Sequence, residues 1–192
     1  MISRRNVLGL GAATLAGTFA SVSGRSAAAN WIAPVRGLCR AVFDRRYEEC
    51  VAFARDLEFR GVVSSGIRSD VAELWYRDLR PQLRQEPLPF AGLTDRAALF
   101  CLEELARDVG MRVLYRIDRT VEQGGRVRHD VAGPEAVIEA ARNLGTEVSF
   151  GRAMALLASQ TEARGRWRIA SQKLTGPFSP ATGTVLVSWV IA

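Results

Sequence analysis

Three short stretches of this 192-residue chain combine guanidinium, hydroxyl and carboxylate groups at a spacing that suits a small charged ligand. Asp44-Arg45-Arg46 sets two arginines beside an acid. Ser64-Ser65-Gly66 offers two hydroxyls next to a glycine and is followed by Arg68 and Asp70. Thr94-Asp95-Arg96 brings hydroxyl, carboxylate and guanidinium together again. Arginine forks and hydroxyls near the free N–H groups of helix starts suit a carboxylate or a phosphate. The expected ligand-binding set is therefore Arg45, Arg46, Ser64, Ser65, Arg68, Thr94 and Asp95. Asp44, Asp70 and Thr94 also have a purely structural use as helix caps.

Catalysis would draw on the same residues and one more. His129 is the chain's single histidine, so a Ser-His-Asp arrangement has to use it with Ser64 or Ser65 and an acid such as Asp44 or Asp70. Asp130, next to His129 in a strand, faces the other way and cannot orient the imidazole. No Gly-x-Ser-x-Gly, Gly-x-Gly-x-x-Gly, P-loop or His-Glu-x-x-His occurs, and no Cys-x-x-Cys. With one histidine and cysteines only at 39, 50 and 101, neither a metal site nor a cofactor is expected. Cys50 and Cys101 fall on apolar helix stripes and are expected in the core.

The elements that must hold these residues alternate. Residues 38–43 form an apolar run ending at Asp44, and a helical stripe follows through Tyr47, Cys50, Val51, Ala54 and Leu57 to Gly61. A second run covers 62–67. The next helix starts at Ser69 or Asp70, buries Val71, Leu74, Trp75 and Leu79, and is expected to stop at Pro81. Residues 88–118 repeat the unit, with a strand, a helix burying Ala98, Cys101, Leu102, Leu105 and Val109, then Gly110 and another strand. The order β-α-β-α-β-α-β over 38–118 predicts an α/β fold with a mainly parallel, three-layer sheet. In such sheets ligands bind beyond the carboxyl ends of the strands, where all three chemical stretches fall.

Beyond Asp118 the pattern predicts a β-rich C-terminal portion. Residues 126–131 pair back across Gln123-Gly124-Gly125, with Val127, His129 and Val131 on one face. Helices follow from Pro134 and over 150–158. Residues 166–169 read as a strand, and the run TVLVSWVIA at 184–192, apolar on both faces, belongs inside a sheet. Arg164, Arg166, Trp167 and Arg168 make one basic-aromatic cluster. A strand would turn Trp167 inward and the arginines to solvent, with an anionic partner as the sharper alternative.

Residues 1–29 have a different chemistry: Arg4 and Arg5, a modest apolar run interrupted by Gly9, Gly11 and Gly17, then Ala27-Ala28-Ala29. Ser3-Arg4-Arg5-Asn6-Val7-Leu8 resembles the twin-arginine export motif, without its customary lysine. That resemblance implies export of the folded protein by the twin-arginine (Tat) machinery to the periplasm or beyond. It also implies cleavage near Asn30, no remaining membrane anchor and a single domain over 30–192. Removing these residues takes away three arginines and no acid, leaving 23 basic against 20 acidic groups, a net charge of +3. So small an excess, with no basic stripe, argues against nucleic-acid binding. The expected function is an exported small-ligand-binding or accessory protein. A hydrolase-like enzyme and a structural partner of a cofactor-bearing exported protein are the alternatives.

Overall fold

The computed structural model describes residues 37–68, 70–143, 149–161, 168–176 and 185–192. All belong to the unit Ile32–Ala192. The export signal, Ser69 as a helix start and the Arg164-Arg166-Trp167 part of the basic cluster lie outside the described residues.

Among the described residues seven strands and six α-helices follow in the order β1 (Arg40–Asp44), α1 (Glu48–Phe59), β2 (Ser64–Ile67), α2 (Ala72–Leu74), α3 (Arg80–Gln85), β3 (Phe90–Thr94), α4 (Arg96–Arg107), β4 (Val113–Val121), β5 (Val127–Pro134), α5 (Glu135–Asn143), α6 (Phe150–Gln160), β6 (Ile169–Gly176) and β7 (Val185–Ile191). A π-helical turn, Trp75–Leu79, joins α2 to α3. No helix among the described residues is long and apolar enough to cross a membrane.

The strands form one sheet in the order β2-β1-β3-β7-β4-β5-β6. β1 runs parallel to β2 and to β3, whereas the other four neighbouring pairs are antiparallel. The fold is α/β, but the expected mainly parallel three-layer sheet is corrected to a mixed and mostly antiparallel one. The cause is β7. Both β3 and β4 are antiparallel to it, so they share a direction, as a strand-helix-strand crossover requires, yet β7 lies between them. Its five buried apolar side chains Leu186, Val187, Trp189, Val190 and Ile191 are at most 2 % exposed, which is why the run is apolar on both faces.

Helices cover the two faces unequally. On one, α1, α5 and α6 pack Phe53, Leu57, Val137, Met154 and Leu157 against Ala91, Leu93, Ile117, Val131 and Val190. On the other, α2, the π turn, α3 and α4 pack Leu74, Trp75, Leu83, Leu99 and Leu102 against Val42, Phe90, Val187 and Trp189. Past β7 that second face carries the ion pairs Arg116–Asp118 and Arg128–Asp130 on β4 and β5. Gly92 stands directly opposite Trp189, and a side chain there would overlap the indole.

Three local expectations change. Helix formation does not stop at Pro81. The preceding π turn lets Arg80 N–H reach Trp75 O, and Pro81 then sits in the first turn of α3, where its missing N–H leaves no helical bond broken. Asp44 does not cap α1, whose N-cap residue is Tyr47 without a side-chain bond. Cys101 is exposed, because the buried stripe of α4 runs through Ala98, Leu99, Leu102 and Ala106 and places position 101 outside it.

Candidate functional site

A polar cleft of about 390 Å³ lies along β2, the strand at one end of the sheet. Arg45, Ser64, Ser65, Gly66, Arg68 and Asp70 line it, and α2 and the π turn supply Glu73, Leu74, Arg77 and Asp78 as the opposite wall. Five residues picked out by their chemistry, Arg45, Ser64, Ser65, Arg68 and Asp70, thus share one space. The local structure explains how. β2 lies parallel to β1, so both strands end at the same level, with Arg45 N–H donating to Ile67 O at 3.0 Å. A side chain at Gly66 would overlap Arg45 Nε and the Phe43 ring, so glycine here allows the Arg45 side chain to lie across the strand.

The charges in the cleft are not equally engaged. Arg77 is held by Glu73 at 2.5 Å and Asp78 at 3.3 Å, and these carboxylates, Asp78 first, raise its pKa above the usual arginine value. Asp70 Oδ1 accepts the N–H of Ala72, the first residue of α2, at 2.8 Å, although the N-cap position itself is taken by Val71. Ser64 donates its hydroxyl to Glu58. Ser65 Oγ accepts from Arg40 Nη1 at 3.2 Å and keeps its own proton to donate. Arg45 and Arg68 take part in none of the ion pairs among the described residues.

Arg46, Thr94 and Asp95 are elsewhere. Arg46 reaches Asp44 through Nε (2.9 Å) and Nη2 (2.5 Å), and Asp95 through Nη2 (2.6 Å). Hydrogen bonds to Asp44 first, then Asp95, raise its pKa above the ordinary arginine value. Asp95 Oδ1 also caps α4 through Ala98 N–H at 2.8 Å. This bridge joins the carboxyl ends of β1 and β3, the point where the strand order reverses, and it occupies the guanidinium. Thr94 is fully buried, accepting Trp189 Nε1–H at 3.1 Å and donating to Asp95 O at 3.0 Å.

His129 lies on β5, with four strands between it and β2, roughly 24 Å at ~4.8 Å per strand. Its ring stacks on Phe150, and burial first, then Arg119, lowers its pKa to about 4 against the opposing pull of Asp130. It therefore does not meet Ser64 or Ser65. Among the described residues no three His, Cys, Asp or Glu side chains group to hold a metal ion.

Arg40, Glu73, Arg77 and Asp78 were not anticipated as site residues. The signal for Arg40 is a charge inside the apolar run 38–43, where a half-buried guanidinium needs partners; Ser65 and Gln82 accept from its Nη1 and Nη2 at 3.2 and 3.4 Å, while its Nε has none among the described residues. The other three read as an ordinary solvated helix face. No protein-family model, curated protein or solved structure matches the chain.

Proposed function

We propose that the protein binds a small anionic or polar ligand in the cleft along β2 and works, after export, as a periplasmic binding or accessory protein. One observation carries the reading: two arginines without ion-pair partners among the described residues, Arg45 and Arg68, line one cleft together with Ser64 and Ser65. A charge-assisted hydrogen bond contributes about 1.5–3 kcal/mol, enough for each arginine to change affinity by roughly ten-fold or more. The export half of the proposal rests on Arg4-Arg5 and Ala27-Ala28-Ala29. The Ser-His form of the hydrolase alternative lacks support, since Ser64 and Ser65 have no histidine within reach.

The test is calorimetric titration of the mature protein with inorganic phosphate, sulfate, succinate and citrate. At least one should bind, and Arg45→Ala and Arg68→Ala should each weaken it ten-fold or more, while Arg46→Ala leaves it within about two-fold. Heat from none of the four, or equal losses in all three variants, defeats the proposal.

A further inference from the structure

The cleft has a backbone wall as well as a side-chain one. β1 occupies the inner side of β2, where Ala41 N–H donates to Val63 O at 2.9 Å and Arg45 N–H to Ile67 O at 3.0 Å. Residues of a ladder face alternate sides, so the N–H and C=O of Ser64 and Gly66 turn outward, along the cleft. β2 has one neighbour among the described strands. An open edge of this kind is satisfied by extended backbone, and a compact ion leaves most of it unpaired.

The charge pattern narrows the occupant. Arg45, Arg68 and Arg77 balance Asp70, Glu73 and Asp78 in the lining, so the cleft as a whole does not favour a ligand of high negative charge. The two arginines outside the ion pairs of the described residues line the cleft by the carboxyl ends of β1 and β2, the place for a single carboxylate. The helical wall opposite presents Leu74 beside Glu73 and Asp78, both of them paired with Arg77. Before the strand, Val63 and Phe59 are 59 % and 76 % exposed, apolar surface in line with the edge.

Resting on the cleft as a ligand site, we propose that it takes the carboxyl terminus of an extended peptide, added to β2 as a parallel strand. The terminal carboxylate lies between Arg45 and Arg68, and the preceding residues pair with the backbone of Ser64 and Gly66. The direction follows from the arginines: only a parallel strand brings its carboxyl end to theirs. Side chains of the added strand alternate. Those facing the helical wall meet Leu74 beside the Arg77–Glu73 and Arg77–Asp78 ion pairs, which selects an aliphatic side chain without a charge of its own. A residue further from the terminus reaches Val63.

The experiment exposes the mature protein to a pool of random hexapeptides with free carboxyl termini and, separately, to the same pool amidated. Retained peptides are read by mass spectrometry, and amide hydrogen exchange is followed at Ser64 and Gly66. The expected result is retention from the free-acid pool at least ten-fold above the amidated pool, enrichment of aliphatic residues near the terminus, and at least ten-fold slower exchange at both amides. Arg45→Ala or Arg68→Ala should each abolish the preference for the free acid. If succinate or phosphate binds the cleft but the two pools are retained equally, the peptide proposal falls and the ligand site stands. If neither pool nor any anion binds, both fall.

Discussion

The imidazole of His129 packs face to face with Phe150, ring centroids 5.3 Å apart, while Nε2 is buried without a partner among the described residues. A proton on it would be desolvated and would lie near Arg119, so the folded state keeps the ring neutral down to about pH 4. The unfolded ring titrates near ~6.5. The folded value is the lower one, so the stabilisation is complete above ~6.5 and is lost as pH falls toward 4. The gap corresponds to on the order of 3 kcal/mol. Urea unfolding at pH 7 and pH 4.5 should therefore show a larger acid loss in the wild type than in His129→Gln; identical losses would sink the assignment. Residue types were legible in the sequence and partners were not. Asp44 and Asp95 stand out as acids at strand ends, but their sharing of Arg46 depends on β1 and β3 being neighbours, hidden by a separation of 49 residues between Arg46 and Asp95. The same adjacency of β1 and β2 gathers Arg45 with Ser64 and Arg68, and there strand-end logic did lead to one shared cleft.

Helix by helix, the periodicity located α1, α2, α4, α5 and α6 but not α3, and it set the rotation of α4 wrongly, because Cys101 and Leu105 suit an apolar stripe as well as Leu99 does. The geometry gives the thiols different reactivities. Cys50 is fully buried, and burial raises its pKa to about 12, while Cys101 is exposed. A chromogenic disulfide added to the native protein should titrate one fast thiol, removed by Cys101→Ser; a fast phase that survives this change would contradict the orientation of α4. α1 and α6 show a second effect that helical patterning does not reveal. Gly151, in the first turn of α6, lies so close to α1 that a Cβ would overlap the carbonyl oxygen of Glu49. The Glu49 carboxylate meanwhile accepts Gly151 N–H at 2.7 Å and the Ser149 hydroxyl at 2.8 Å. Gly151→Ala must push the two helices apart, at a cost of about 1–3 kcal/mol by chemical denaturation despite alanine's better helix propensity. A neutral or stabilising result would mean that the helices do not approach so closely.

At the scale of the molecule, the sheet divides around β7 into β2-β1-β3 on one side and β4-β5-β6 on the other. The interior position of this strand was legible from its two apolar faces. Its place between β3 and β4 was not, because strand order depends on long-range pairing that periodicity does not encode. Deleting residues 185–192 removes the strand that joins the two halves, and the truncated protein should show no cooperative thermal transition by circular dichroism. A sharp melt close to that of the wild type would show that the halves hold together without it. β7 also has a consequence in time. It leaves the ribosome after every strand that it joins, and at about 5–20 residues per second the 90 residues between Thr94 and Val185 take roughly 5–20 s to synthesise. During that interval the edges of β3 and β4 are open to any competing strand, so the nascent chain is most prone to mispairing just before its sheet can close. The export of folded protein proposed above would give the chain this time in the compartment where it is made.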